Sequence, residues 1–524
     1  MSFVPPWELP DMTHRKPFAG TPFAGRLSKP ERRRFLKWLG VATAVPALAP
    51  SLRQTLWDAA LGEAGAQDSE QTYFVEICLR DQLDFGHVMV APGLARHSGL
   101  RRGERGRQCA LFYEQGELRE EAPGVFLTPQ SLGLAPHLEH VAMMELGELT
   151  DAPVHGHEAA NPLRSPGRTR TAGGGRIPMW EAEPGSNNSE GAFHTSTPTP
   201  LALHNWWQRQ LQPDLHNGVV IKGTARDYGM YHCGAGLPGS EPDRYQNAES
   251  LYSEFPATTI DRNVLPERGE AELVARFLRH VDPRFLQGRG YSSGARDAHL
   301  AQLEDHERLL HVAEPRVVDL RLTEEEIAYW SEGTPAPYGR QEIAPWEEAA
   351  WAFKLIDSGI VRSVAYEVDI GDIHGERTEL QMRDQTMTTV GPLVRLIEQF
   401  KAAGIWDQTL IAVSTTDGGR SPGAGSSGDQ GKNGYILAGG KVRGGYYGDI
   451  RVAGDSGDGH EYSYHRPDGG TGMPIAGGTT GNDQRVEAAP LWRTIARALR
   501  VSDDALSAFP DVADARPFDW LLRD

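Results

Sequence analysis

The 524-residue sequence predicts an α/β fold of three layers, with a largely parallel central sheet between two layers of helices. Three observations carry that expectation. Short apolar runs of one strand's length alternate with segments of helical period, and the runs end in turns rich in acids and glycine. The clearest case is Thr409 to Arg420 (TLIAVSTTDGGR). Five of the six residues from Leu410 to Thr415 are apolar or β-branched and none is charged, which suits a central strand covered on both faces. Upstream, Val390 to Gly404 spaces Leu393, Leu396, Ile397 and Phe400 on one helical face, and Gly404 can cap the C-terminus. Helix, short turn, strand and then Asp417-Gly418-Gly419 is how an open α/β sheet presents chemistry at a strand's carboxyl end. The plainer reading of Asp-Gly-Gly is a turn alone.

In chain order, the N-terminus reads as a targeting segment. Arg32-Arg33-Arg34-Phe35-Leu36-Lys37 fits the twin-arginine pattern, with Glu31 where Ser or Thr is usual. The apolar run Trp38 to Leu48 that follows is too short to span a membrane comfortably. Cleavage is expected after Ala64-Gly65-Ala66, because Pro50 disfavours the small-residue site at Ala47 to Ala49. The expected organisation is therefore residues 1–66 as signal and flanking segment, and 67–524 as a single α/β domain. The implied partner is the twin-arginine translocation machinery, and the implied location is periplasmic or extracellular. No stable membrane span is expected once the signal is removed.

Thr72 to Leu79 (TYFVEICL) reads as the first strand, followed by Asp81 and Asp84. The Arg-rich stretch 101–107 reads as a solvated loop. Leu138 to Leu146 holds a second apolar run, and His155-Gly156-His157 lies in the polar loop beyond it. Residues 158–200 read as a long surface excursion rich in Gly, Ser, Thr and Pro. Trp206 and Trp207 open a short helix, 218–223 (GVVIKG) is a brief strand, and His232 and Cys233 sit in the loop after it. Helices are expected over 271–281 and 295–312, then one opened by a capping box at Thr323 to Glu326, then 344–359. Val361 to Ile370 (VRSVAYEVDI) returns as a strand ending at Asp372-Ile373-His374. Asp429 lies in the Gly/Ser loop 418–432, and Glu487 to Leu499 closes the chain as a helix.

Composition narrows the function classes. A formal charge of −18 argues against a nucleic-acid partner. Three cysteines without C-x-x-C spacing argue against a zinc-thiolate site or a disulfide framework. Three strand ends instead carry acids: Asp84, Asp372 with His374, and Asp417, with Asp429 in the loop beyond. In a parallel sheet such ends share one rim. Carboxylates gathered there repel unless a cation neutralises them, and Asp-x-His supplies the oxygen and imidazole ligands used by zinc, manganese and magnesium. His155, His157 and His232 sit in loops that could reach the rim, though each is more simply an exposed histidine, and the same caution holds for His460 and His465.

These motifs in order (RDQLDFGH, DIHGER, TLIAVSTTDGGR, GSSGDQGKNG and ILAGGKVRGGYYGDI) resemble the bacterial exported family called domain of unknown function 1501. That family is placed in the alkaline phosphatase and sulfatase superfamily, and the resemblance spans roughly residues 72–500. It implies an alkaline phosphatase-like fold and carries Asp84, Asp372, His374, Asp417, Arg420 and Asp429 over as site residues. The five Asp and His residues are the implied metal ligands, for zinc, manganese, magnesium or calcium. The implied activity is hydrolysis of a phosphate or sulfate ester, small or polymeric. The sequence departs from the family at Asp81-Gln82, where two glycines are usual, at Asp417 in place of Glu, and at Gln430 in place of His. Gly418 likewise stands where many superfamily enzymes have His. The alternative is a degenerate member that keeps the fold as a binding or structural protein. No nucleophile is identified, and the C-x-P-x-R sulfatase signature follows none of the cysteines.

Overall fold

The computed structural model describes residues 71–80, 83, 85–100, 102, 111–147, 199–212, 215–222, 242–245, 250–252, 320–335, 343–359, 361–369, 379–415, 433–456, 459–475, 477 and 488–523. All of them belong to one compact unit formed by 62–257 and 318–524. Among them no helix is long and apolar enough to cross a membrane.

The strands are β1 (Tyr73–Arg80), β2 (Met89–Val90), β3 (Arg119–Ala122), β4 (Val125–Leu127), β5 (Val141–Gly147), β6 (Val219–Lys222) and β7 (Asp243–Tyr245) in the first part of the chain. Then follow β8 (Ser363–Asp369), β9 (Thr409–Thr415), β10 (Asn433–Gly439), β11 (Gly445–Tyr447), β12 (Asp449–Ser456) and β13 (Gly459–His465). Eight of them form the central sheet, in the order β11-β5-β10-β9-β1-β8-β6-β7. From β9 to β7 every neighbouring pair is parallel. Only β10 among the eight runs against its neighbours, so a largely parallel sheet is what the sequence predicts and what forms.

Helices α1 (Pro92–Ala95), α2 (Pro200–Leu211), α3 (Glu324–Ser331), α4 (Pro345–Asp357), α5 (Glu379–Ala402) and α6 (Ala488–Ala498) complete the frame. The strand period of two sorts side chains onto two cores. Val75, Ile77 and Leu79 join Trp351 and Leu355 of α4 and Leu393, Leu396, Ile397 and Phe400 of α5. Phe74 and Cys78 face the other way, with Leu201 and Leu203 of α2 and Leu491, Trp492 and Ile495 of α6. Helices therefore cover both faces of the sheet, which is the three-layer arrangement. The β12–β13 hairpin packs on α1 through a smaller cluster that includes Leu94, Ile450 and Tyr464.

Local chemistry fixes the element ends. Thr323 accepts from Glu326 N at 3.2 Å while the Glu326 carboxylate accepts from Thr323 N at 2.8 Å, so the expected capping box opens α3. Gly404, with φ +74°, closes α5. Two expectations need correction. Trp206 and Trp207 lie inside α2, which starts at Pro200 on a Thr199 cap whose hydroxyl accepts from Ala202 N. Helix α5 begins eleven residues before Val390, at Glu379. Residues 158–198, the helices expected at 271–281 and 295–312, and the twin-arginine segment lie outside the described residues.

Candidate metal site at the carboxyl edge

Three adjacent strands set the geometry. β1 lies between β9 and β8, parallel to both, and its last residues pair as Leu79 with Thr415 and Arg80 with Asp369. Their carboxyl ends are thus level, and at about 4.8 Å between neighbours the three ends span about 10 Å of one edge. The loop from β9 to β10 leaves and re-enters at the same edge, because β10 runs antiparallel to β9. Asp84, Asp372, His374, Asp417 and Asp429 all fall on connections that start at this edge. All five, with Arg420, lie outside the described residues. Among the described residues no group of three or more His, Cys, Asp or Glu is arranged to hold a metal ion.

The described residues around the edge form a packed support. Phe85–His87 make a single buried 3-10 turn directly after Asp84. A Cβ on Gly434, at the start of β10, would lie 2.4 Å from the Phe85 ring and 2.6 Å from Met143, so only glycine lets the turn seat there. The imidazole Nε2 of His87 accepts from Phe112 N at 3.3 Å, and its ring lies edge-on to Tyr113 at 5.1 Å. His87 is held as part of the wall.

Sequence reasoning missed four buried acids, with Glu145, Asp449 and Glu367 toward this edge and Glu76 midway along β1. Glu145 on β5 accepts a hydrogen bond from Tyr446 at 3.2 Å across 301 residues of chain. Burial first, and the neighbouring Glu145 and Asp449 next, push the Tyr446 phenol well above its ordinary value. Asp449 accepts from Gly93 N and from Arg451 Nε, both at 2.7 Å. Glu76 and Glu367 lie inside β1 and β8, 2% and 0% exposed, so neither is an ordinary solvated carboxylate. A single Glu inside TYFVEICL and inside VRSVAYEVDI is a readable signal, because a charge in a central strand breaks the apolar pattern.

The other candidate histidines separate. His460 packs edge-on to His97 at 5.5 Å. His465 donates from Nδ1 to Ile475 O at 2.9 Å, which leaves Nε2 to accept from Ser463 at 3.1 Å, so its ring is committed to structure. His155, His157 and His232 lie outside the described residues. A further polar cluster sits at the opposite, amino edge, where the Thr72 hydroxyl accepts from His204 Nε2 at 3.0 Å and from Gln208 at 3.0 Å, and donates to Leu499 O at 2.9 Å. Ser363 donates to His204 Nδ1 at 2.7 Å. Burial, then the Arg362 charge, lowers the His204 pKa to about 3. This neutral imidazole ties α2 to the starts of β1 and β8.

No family model matches the chain, and no curated protein matches it in sequence. Among solved structures, one of Ps i-CgsB in complex with k-i-k-neocarrahexaose aligns at a TM-score of 0.30 and 10% identity, over 86% of this chain and 77% of that one. A protein in the alkaline phosphatase superfamily from Vibrio parahaemolyticus aligns at a TM-score of 0.30 and 8% identity, over 91% of this chain and 98% of that one. Likeness at this level transfers neither site nor substrate.

Proposed function

We propose that the chain is an exported, divalent-metal-dependent hydrolase of phosphate or sulfate esters, with its site at the carboxyl edge of β9, β1 and β8. The observation that carries this reading is the level, parallel register of those three strands. Covalent reach supports it. Asp417 lies two residues beyond Thr415, Asp372 three beyond Asp369 and Asp84 four beyond Arg80. At roughly 3.3–3.6 Å per residue, each stays within about 15 Å of its own strand end.

The donor set suits hard or borderline divalent ions: four carboxylates and one imidazole. Asp372 and His374 would hold one cation, and Asp84, Asp417 and Asp429 another. A divalent cation held by these residues would supply charge to offset the ester's oxygens and acidity to a water nucleophile. The chain's own share is to bring these donors to one rim and to back them with the buried turn 85–87. Gly418 and Gln430 leave the second group without imidazole, which favours magnesium or calcium over zinc there. The departures from the family pattern at Gly418 and Gln430 also favour the second reading, a scaffold that has lost its chemistry.

Metal analysis of the folded, exported protein separates the two. The hydrolase reading expects at least one tightly held divalent ion and metal-dependent cleavage of a p-nitrophenyl phosphate or sulfate. A protein that retains no ion after dialysis and regains none on addition is the non-catalytic scaffold.

A further inference from the structure

Helix α6 ends at a basic cleft on the amino edge of the sheet, away from the carboxyl ends of β9, β1 and β8. The cleft has a volume of about 560 Å³ and is lined by Lys441, Arg497, Arg500 and Arg523, with Asp519 the one carboxylate among the described residues that line it. A neighbouring depression of about 510 Å³ shares Arg497 and Arg500 and adds Arg493. Its position follows from two contacts. Thr72, just before β1, donates to Leu499 O, and Lys441 follows Gly439, which pairs with Leu410 at the start of β9. Such a concentration of cations stands out in a chain of net charge −18.

Local pairing uses part of that charge. Asp519 pairs with Arg497, and Asp503 pairs with Arg493. Arg523 donates to Glu139 O and lies 3.7 Å from the Glu139 carboxylate. Arg500 makes no ion pair among the described residues. Cations near a helix C-terminus also complement its dipole, and Arg497 in the last turn of α6 is placed to do so.

Dipole compensation does not explain Arg500. Its φ is +53°, and it is the one non-glycine residue with positive φ among the described residues. The helix ends in a Schellman motif, with Val501 N donating to Ala496 O at 2.9 Å and Arg500 N to Arg497 O at 3.0 Å. Helix α5 ends in the same motif, with Ile405 N donating to Phe400 O and Gly404 N to Lys401 O, both at 3.1 Å. There the left-handed residue is glycine, which adopts that backbone without strain. Arginine at the equivalent place is a costly way to stop a helix, so its side chain answers to something else.

We propose that this cleft is an oxyanion site that takes the sulfate or phosphate group of a ligand. Guanidinium groups offer forked donors matched to such oxygens, and Arg500 stands beside Arg497 and Arg523, whose forks hold donors beyond those given to Asp519 and Glu139. The site is independent of the carboxyl-edge chemistry.

The test uses the full-length exported protein, with calorimetry and thermal unfolding in sodium sulfate or sodium phosphate against sodium chloride at matched ionic strength. Saturable binding with a Kd in the low millimolar range or tighter is expected. Arg500→Gly should weaken it at least fivefold while leaving Tm without anion unchanged or higher, because glycine suits the backbone there. Arg523→Gln should weaken it at least threefold, and neither variant should change metal content. A dextran sulfate arm locates the source. Binding at least tenfold tighter than inorganic sulfate, lost in the same variants, assigns the anion to a polymer, and equal binding assigns it to a small ligand. A rise in Tm that does not saturate and is equal in wild type and variants is bulk salting and overturns the site. So does an Arg500→Gly protein that binds as tightly as wild type.

Discussion

His204 is buried, aromatic and hydrogen-bonded to two hydroxyls, yet its surroundings make it a brace. Its imidazole is neutral because the folded environment lowers its pKa from 6.5 to about 3. The sign of the linkage follows. Below about pH 6.5 the unfolded chain binds a proton that the folded chain refuses, so stability falls as pH drops from 6.5 toward 3 and is complete above that window. The whole contribution is on the order of 3–5 kcal/mol. Urea unfolding of wild type should lose stability between pH 6.5 and 5, before most carboxylates titrate, and His204→Gln should flatten that part of the curve. Equal slopes in the two proteins would show that His204 does not govern this window. At position 500 the backbone sets the sign of a second change. Replacing Arg500, at φ +53°, by glycine should raise stability by about 1 kcal/mol in chloride, measured by the same unfolding experiment.

Elements carry the next scale, and the contact of β10 with the turn after β1 is the one that matters for the candidate site. Gly434→Ala places a methyl inside the Phe85 ring and against Met143, both at zero exposure. Overpacking of this kind costs about 1–3 kcal/mol. Because Phe85 follows Asp84, the variant should also weaken metal binding severalfold without removing a ligand. Isothermal titration with manganese would check this, and unchanged affinity with normal folding would detach Phe85 from the site. The central strands were legible because each is a short apolar run with its acid at the end. The first half of α5 was not, since Glu379 to Thr389 has no apolar period. Its buried Thr386 and Thr389 satisfy themselves on Met382 O and Gln385 O, at 2.9 and 3.1 Å, and hydropathy cannot register that. The β12–β13 hairpin escaped notice for a related reason: its strands carry Arg, Asp, Glu and His on weakly alternating faces. Glu145 was invisible because its partner, Tyr446, lies 301 residues away and only the sheet brings them together.

At the scale of the whole molecule, location and chemistry should be separable. Exchanging Arg32 and Arg33 for lysine should strand the protein in the cytoplasm, since the twin-arginine pair is what the export reading rests on. Fractionation checks this, and normal export of the double variant would remove the assignment. Metal affinity should then divide between the two halves of the carboxyl edge. Asp372 and His374 follow β8 on one short segment flanked by Gly371 and Gly375, and they offer a carboxylate and an imidazole within three residues. Asp417 and Asp429 are twelve residues apart on a Gly/Ser-rich loop and offer oxygen alone. Zinc prefers nitrogen and sulfur donors, whereas magnesium and calcium accept all-oxygen shells. Zinc should therefore bind through the first pair, so His374→Ala should lower zinc affinity at least a hundredfold after chelator treatment. Gln430→His, which adds an imidazole beside Asp429, should create or tighten a second zinc equivalent by at least tenfold. If His374→Ala takes up zinc as wild type does, the ligand assignment fails, and the strand register remains as a scaffold without this chemistry.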